Sequence, residues 1–218
     1  QAGAAIVGPA VRGPIEVPTI VTSYSDYQNR FGTTFESGSN EYSFFTSIAA
    51  QNYFSNGGNT LLVTRVVSGS AATDWDYAEA SIPGHAASTT AFKLESLYKG
   101  AEFTNSGSAT TMSNGALYTG SKDNFRWEVT TANTSSGTFS LIIRRGDDNT
   151  NTKSVLETFT NLSLDPKQSN YIARVIGDQK LNYNSTENYI EYSGSYPNAS
   201  RYVRVKEVSN TPDYLDNS

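Results

Sequence analysis

Short apolar runs separated by Gly-Pro corners fill residues 3–67, and this pattern constrains the fold more than any other feature of the chain. The run Ala4–Val7 ends at Gly8-Pro9, and a second corner follows at Gly13-Pro14. A residue before proline is disfavoured in the helical region, so both corners keep the backbone extended or turning. We therefore predict one strand at Ala4–Val7 and a second over Ile15–Val21, with Pro18 marking an edge or an irregularity.

Two helical patterns follow these strands. Ser23-Tyr-Ser-Asp26 has the spacing of a capping box and predicts a short helix through Phe31, ended by Gly32 at the C′ position. Residues 33–40 are predicted to form a loop. Apolar side chains then recur at three- and four-residue steps from Tyr42 to Tyr53, which predicts an amphipathic helix stopped by Asn56-Gly57-Gly58.

A continuous apolar run, Leu61–Val67, comes directly after the second helix. Such a run indicates a buried strand that returns alongside the first one. Residues 1–68 are therefore interpreted as the N-terminal part of an α/β subdomain, in the order strand, strand, helix, helix, strand.

The sequence changes character after Ser68. Residues 69–164 contain short alternating runs separated by Gly and Asn clusters, which is typical of an antiparallel β-sandwich or small barrel. The clearest predicted strands are Phe92–Leu97, Phe125–Val129, Thr138–Arg144 and Val155–Phe159.

Asp165-Pro166 combines an N-cap residue with proline at the first helical position, and so predicts a helix that Gly177 ends. A polar insert, Leu181–Asn188, and two strands, Tyr189–Tyr192 and Arg201–Val208, are predicted after it. The predicted fold class is α+β. In this interpretation residues 165–218 return to the α/β subdomain of the N-terminal block, and residues 69–164 form an inserted β-domain.

Composition and charge narrow the function classes. The 218-residue chain has no cysteine, which excludes a disulfide framework and thiol chemistry and is compatible with a reducing compartment. The net charge is −5 without a basic cluster, so we predict no nucleic-acid partner. Because every apolar run is far shorter than about 18 residues, we predict no membrane partner. The chain starts at Gln1 and stops in polar sequence, and we expect it to be part of a longer protein.

Few residues have the type and spacing expected of a catalytic or metal-binding site. The single histidine, His85, has no recognisable partner motif. Asp147–Asn151 opens like a calcium loop, but Thr152 stands where the turn glycine is needed and Thr158 where the bidentate glutamate is needed. Asp74 and Asp76 flank Trp75, a pairing also found in glycosidase clefts. With no further support for any of these, we predict no catalytic residue, no metal site and no cofactor.

Two blocks of the sequence resemble a known family. The first has Gly8, Arg12-Gly13-Pro14, Pro18, the segment 23–32, and Phe54-x-Asn56-Gly57-Gly58 before a strand ending Arg65-Val66-Val67. The second comprises Gly137–Asp148, Leu156–Gly177 and Arg201–Lys206. Together they cover roughly half of the chain, and in this order they are similar to contractile bacteriophage tail sheath proteins.

The resemblance implies a structural, non-enzymatic subunit. Sheath proteins form six-fold rings that stack around the tail tube and contract to drive it through the host cell envelope. The implied partners are other sheath subunits, the tail tube protein and the baseplate. The implied location is the virion tail, assembled in the host cytoplasm. Bacterial contractile injection systems are equally similar.

The resemblance also leads to an expectation about the oligomeric state of this chain in isolation. Sheath subunits exchange strands through terminal arms, and this sequence lacks the leading arm and the C-terminal domain of the family pattern. We therefore expect the chain to be monomeric. An alternative interpretation rests on the Tyr-, Asn- and Ser-rich middle, which would suit a carbohydrate- or cell-surface-binding β-module of a phage or secreted protein.

Several corner and helix-stop residues are predicted to set shape and not to bind a ligand. They are Gly8, Pro9, Gly13, Pro14, Gly32, Asn56, Gly57, Gly58, Asp165, Pro166 and Gly177.

Overall fold

The computed structural model describes residues 3–37, 40–69, 76–84, 89–105, 123–146, 148 and 151–209. These residues form three helices and fourteen strands. The helices are α1 (Tyr24–Phe31), α2 (Phe45–Ser55) and α3 (Ile172–Ile176). The strands are β1 (Ala4–Gly8), β2 (Thr19–Val21), β3 (Thr34–Ser37), β4 (Asn40–Ser43), β5 (Leu61–Arg65), β6 (Tyr77–Pro83), β7 (Thr90–Lys99), β8 (Ala101–Phe103), β9 (Asp123–Asn133), β10 (Thr138–Arg145), β11 (Val155–Ser163), β12 (Lys180–Asn184), β13 (Tyr189–Ser193) and β14 (Val203–Val208). The mixture of helices and strands confirms the predicted α+β class.

The chain divides into two compact units. Unit 1 comprises Gln1–Ala78, Tyr98–Arg126 and Arg145–Lys153, and unit 2 comprises Glu79–Leu97, Trp127–Arg144 and Ser154–Ser218.

A three-stranded sheet in the order β1-β5-β2 forms the base of the N-terminal block in unit 1. Strand β5 runs parallel to β1, with Ala4 opposite Leu61, and antiparallel to β2. The predicted return of the apolar run beside the first strand is therefore confirmed. Helices α1 and α2 supply the rest of the core, whose buried residues are Ala10, Val21, Tyr27, Phe31, Ala50, Leu61 and Val63.

Helix α1 owes its position to local sequence. The Ser23 hydroxyl accepts a hydrogen bond from the Asp26 amide at 3.0 Å, as a capping box requires. The Asp26 carboxylate accepts from the Thr22 amide at 3.1 Å, one residue earlier than the predicted partner. Tyr27 and Phe31, one turn apart, lie on the buried face with ring centroids 5.4 Å apart.

Three local predictions in this block are wrong. Only Thr19–Val21 of the predicted second strand is a strand, because Glu16 has φ 58° and Pro18 has no amide hydrogen to donate to a ladder. Strands β3 and β4 form a hairpin within the predicted loop at 33–40 and beyond it. Helix α2 consequently starts at Phe45, after the strand that contains Tyr42.

The predicted strands of the middle region are confirmed, and each is longer than expected. In unit 2, β10 pairs antiparallel with β11, and β14 pairs antiparallel with β7. In unit 1, β8 pairs with the start of β9 in parallel, so the sheets are not purely antiparallel. Among the described residues the sheets are open, and no closed barrel is formed.

The C-terminal segment associates differently from the expectation. Residues 165–218 fall in unit 2 with 79–97 and 127–144, and not with the N-terminal block. The physical reason is strand pairing: β14 adds to β7, and α3 contacts β11 and β14. The division into 1–68, 69–164 and 165–218 therefore does not coincide with the compact units of the chain.

Asp165-Pro166 begins a turn instead of the predicted helix. The Asp165 carboxylate accepts from the Lys167 amide at 2.9 Å, and the Asp165 carbonyl accepts from Gln168 at 3.1 Å. Helix α3 starts only at Ile172, with Tyr171 at its N-cap, and Gly177 follows its last residue.

Candidate functional site

The first eight predicted shape-setting residues lie in unit 1, and at four of them, Gly8, Gly13, Gly32 and Gly58, an added Cβ would lie within 3.0 Å of another atom. Gly8 ends β1, and a Cβ there would lie 2.5 Å from the Thr46 hydroxyl oxygen. Gly13 has φ 99°, a conformation that L side chains rarely adopt, and lies against the Phe31 ring. Pro9 is exposed and Pro14 is buried.

The remaining predicted positions stand at the ends of helices or in the turn before α3. Gly32 is the C-cap residue of α1, Asn56 is that of α2 and Gly177 is that of α3. Gly57 and Gly58 follow α2, and the Gly58 amide donates to the Tyr53 carbonyl at 3.0 Å. Asp165 and Pro166 are in the turn already described. Within each unit, these residues stand at corners, turns and helix ends.

A buried arginine, named in the sequence only as part of the motif that resembles the sheath family, fixes the second corner. Arg65, at the end of β5, is fully buried and donates from Nη1 to the Gly13 carbonyl at 2.8 Å. Its own carbonyl accepts from the Glu16 amide at 2.9 Å. Burial raises the pKa of the nearby Tyr27 phenol, Tyr24 raises it further, and Arg65 opposes the shift. The two hydrogen bonds of Arg65 attach the Gly13-Pro14 corner to the sheet.

A second buried charge, Glu95 on β7, is surrounded by cations in unit 2. Arg204 of β14 donates to Glu95 Oε1 from Nε at 3.0 Å and from Nη2 at 2.7 Å. The ammonium groups of Lys180 and Lys206 lie 3.3 Å and 3.5 Å from the carboxylate oxygens. Lys206 also pairs with Glu79 of β6. The network joins strands that are far apart in sequence.

The electrostatics of Glu95 identify this network as an anchor. Burial alone would raise the pKa of the carboxyl, but hydrogen bonding and charge from Arg204, with Lys180, hold it below its ordinary value. A carboxylate stabilised in its ionised form is a weak base, which is unsuited to proton abstraction. The ionised carboxylate and its three cations link β7 to β12 and β14.

One face of the N-terminal sheet is exposed. Ile20 and Leu62 are opposite each other on β2 and β5, so their side chains share a face, and both are exposed. Val7 of β1 is 70% exposed. Along the outer edges of β1 and β2, the described residues provide no backbone partner. The sheet therefore presents apolar side chains and open edges together.

A second exposed apolar surface lies on the hairpin β12–β13, where sequence reasoning predicted a polar insert and one strand. Leu181 lies opposite Tyr192, and Tyr183 lies opposite Ile190. Opposed residues of an antiparallel pair share a face, so these four side chains form one surface, which we call the hairpin face. All four are exposed. Tyr189 and Glu191 lie on the opposite face.

Polar residues hold this hairpin in shape. At its turn, the Asn184 side chain accepts from the amides of Thr186 and Glu187 at 3.0 Å and 3.2 Å. At its base, the Asp178 carboxylate accepts from the amides of Ser195 and Tyr196 at 2.8 Å and 2.7 Å. The hairpin is thus fixed at both ends although its apolar face is not buried.

The structure describes only some of the candidate chemical residues. His85, Asp74, Trp75, Asp147 and Asn149 lie outside the described residues. Of the remaining candidates, the Asp76 carboxylate accepts from the Tyr77 amide at 2.7 Å. Asp148 lies 3.5 Å from the Arg126 guanidinium.

In the described part of the chain, no three or more His, Cys, Asp or Glu side chains are grouped so that they could hold a metal ion. No helix in the same residues has the length and apolar character needed to cross a membrane.

Comparison with known proteins adds no relative. The chain matches no model of a protein family, and no curated protein matches it.

Proposed function

We propose that this chain belongs to a structural subunit of a contractile tail sheath. The subunit polymerises around the tail tube and contracts to drive the tube through the host cell envelope. Its partners are other sheath subunits in six-fold rings, the tail tube protein and the baseplate, and its location is the virion tail. In this proposal the role is mechanical, without catalysis and without a cofactor.

The incomplete N-terminal sheet is the observation on which this proposal depends. It is built by the block that resembles the sheath family, and it has outer edges on β1 and β2 without a backbone partner among the described residues. It also exposes Val7, Ile20 and Leu62. Open edges can accept a strand from another chain, and contiguous exposed apolar residues mark interaction sites. Both features suit a subunit that exchanges strands with its neighbours.

Immunogold electron microscopy of intact contractile tails tests the proposal. Antibodies raised against this chain should label the tail wall along its whole length, because sheath subunits repeat from baseplate to head. Labelling restricted to fibres or to the tail tip would contradict the proposal and would favour a host-binding module.

Two variants test whether the exposed face of the N-terminal sheet is needed for assembly into tails. Ile20→Asp introduces a charge on the exposed sheet face, and we expect a folded protein that no longer assembles into tails. Gln51→Asp makes the same change of charge on an exposed position of α2 and should leave assembly intact. Normal tails from Ile20→Asp would show that the sheet face is not used.

A further inference from the structure

We infer that an exposed apolar stripe on helix α2 packs on the exposed face of the N-terminal sheet of the next copy of this chain, in a head-to-tail contact. The stripe consists of Phe45, Ile48 and Ala49, which follow one another at three- and four-residue steps and therefore share one side of the helix. The choice of a second copy as the partner rests on the proposed function. The inference names the surfaces through which neighbouring subunits meet.

Helix α2 turns its most apolar side away from the core of its own chain. Phe45 and Ile48 are 88% and 43% exposed, and Ala49 is exposed as well. The buried side instead presents small or hydroxyl-bearing residues, namely Thr46, Ser47 and Ala50. The apolar side of an amphipathic helix normally faces the core. Within one chain, therefore, α2 leaves uncovered a surface that favours burial.

Helix α1 provides the matched comparison in the same block. Both helices contribute buried residues to the core on one face of the N-terminal sheet. The outer side of α1 presents Ser25, Gln28 and Asn29, at the same three- and four-residue steps and all exposed. Such a polar outer side is typical of a helix that faces solvent. The contrast indicates that the stripe of α2 is a surface for another molecule.

The outer face of the N-terminal sheet offers a complementary surface. Ala5, Leu62 and Ile20 form one row across β1, β5 and β2, and all three are exposed. Val7, also exposed, continues this face along β1. A sheet and a helix that are each apolar on one side form a stable two-layer packing when those sides meet. The stripe of α2 supplies the helical side of such a packing.

The positions of the two surfaces determine the kind of contact. Both belong to unit 1, and α2 packs on the face of the sheet opposite to the exposed one. A chain therefore cannot place its own stripe on its own exposed sheet face. A contact between two copies joins two different surfaces, so each copy keeps one surface for a further neighbour. Heterologous contacts of this kind form closed rings or open helical rows, in agreement with the polar rings of the proposed function.

Charge permits this contact, and its size limits its strength. None of the residues on the two surfaces is charged, so the packing opposes no like charges although each chain has a net charge of −5. Three side chains on a helix against four on a sheet cannot reach the area of about 1,200 Å² that a stable interface buries. We therefore expect the free chain to remain monomeric at low concentration. The contact forms where an assembly or a high concentration keeps copies close.

Cross-linking tests the contact, because the chain contains no cysteine. In a concentrated solution, a short bifunctional maleimide should join chains with Ala5→Cys and Ala49→Cys about ten times faster than chains with Ala5→Cys and Ser25→Cys, a ratio equivalent to about 1.4 kcal/mol. The second pair moves one thiol from the stripe of α2 to the polar outer side of α1. The products of the first pair should form a ladder of dimers, trimers and longer chains. Equal rates for the two pairs would overturn the inference.

Single substitutions separate a head-to-tail contact from a symmetric one. Ala49→Cys alone should cross-link no faster than Ser25→Cys alone, because the stripe meets the sheet face and not a second stripe. Faster formation of dimers by Ala49→Cys alone would contradict the inference.

Assembly into tails provides a second measurement. Phe45→Asp places a charge on the stripe and should give a folded chain, with an unchanged urea midpoint, that no longer assembles. Ser25→Asp places the same charge on α1 and should assemble normally. Gln51, the control position on α2, lies outside the stripe because it follows the buried Ser47 by one turn. Normal tails from Phe45→Asp would overturn the inference.

The two proposals can fail separately. Tails that are labelled along their length, together with equal cross-linking rates, would remove this contact and leave the sheath assignment. A cross-linked ladder without labelled tails would leave the contact and remove the assignment.

Discussion

The helix-covered sheet of the N-terminal block and the hairpin β12–β13 use the same alternation of side chains with opposite results. On β5, Leu61 and Val63 point towards α1 and α2 and are fully buried. On β12, Leu181 and Tyr183 alternate in the same way and point into solvent. Alternation thus shows which residues share a face, but whether the same chain covers that face depends on other elements.

This difference separates residues that stabilise the fold from residues that are available for association. The N-terminal block gains its stability from apolar burial within one chain. The hairpin is held by hydrogen bonds at its turn and base, and its apolar surface remains available to another molecule. Substitutions in the N-terminal core should therefore change the free energy of unfolding, whereas substitutions on the hairpin face should change binding to another molecule.

The largest effect is expected in the N-terminal core. Phe31 is fully buried, and Phe31→Ala should lower the free energy of unfolding by about 3–5 kcal/mol, because it removes buried surface and leaves a cavity. Phe45→Ala is the control, since Phe45 is 88% exposed, and should change stability by less than about 0.5 kcal/mol. Urea titrations of both variants measure the contrast, and similar losses would refute it.

A substitution of Glu95 tests whether buried charge stabilises unit 2 as apolar burial stabilises the N-terminal block. Glu95→Gln leaves Arg204 and two lysines without their shared carboxylate, and should cost about 3 kcal/mol in the free energy of unfolding. Glu207→Gln breaks the exposed pair with Lys93 and should have a much smaller effect. Equal urea midpoints for these two variants would show that the buried network is not an anchor.

The same residue predicts a pH dependence. The pKa of Glu95 is lower in the folded chain than its ordinary value of 4.5, so its stabilising contribution is complete above that value. The contribution is lost as the pH falls through the folded-state pKa. Urea unfolding should therefore show the stability of the unmodified chain approaching that of Glu95→Gln in acid. A difference that stays constant from neutral to acidic pH would rule this out.

A smaller effect is expected at the base of the hairpin. Asp178→Ala removes the acceptor of two backbone amides and should lower stability by about 1–2 kcal/mol. Hydrogen exchange should be faster in β12 and β13, while the amides of β5 should exchange at the rate set by the remaining global stability. Unchanged exchange in the hairpin would show that the base is held by other contacts.

The smallest effect on folding is expected on the hairpin face itself. Tyr192→Ser should change the free energy of unfolding by less than about 0.5 kcal/mol, because the side chain is already exposed. Thermal or urea unfolding of the isolated chain measures this. A loss of 2 kcal/mol or more would mean that the face stabilises its own chain, and the comparison between the two regions would no longer hold.

Local signals in the sequence were sufficient for part of the fold. The capping residue Ser23, the stop at Gly32 and the apolar run from Leu61 to Val67 each act over a few residues, and the structure has α1 and β5 where they predicted them.

Features that depend on distant pairing could not be predicted. Arg204 and Glu95 are 109 positions apart, and nothing near either residue indicates the partner. For the same reason the pairing of β14 with β7 was missed, and the C-terminal segment was assigned to the N-terminal block. The hairpin was missed because Asn182 and Asn184, which alternate with Leu181 and Tyr183, made the segment resemble a loop.

Hydrogen exchange of this chain, free and within intact contractile tails, tests the central claim most directly. If the chain is a sheath subunit, the amides along the outer edges of β1 and β2 should exchange more slowly in the tails than in the free chain. The amides of β5, already covered on both sides by β1 and β2, serve as the internal reference. Equal exchange at these edges in both states would contradict the account.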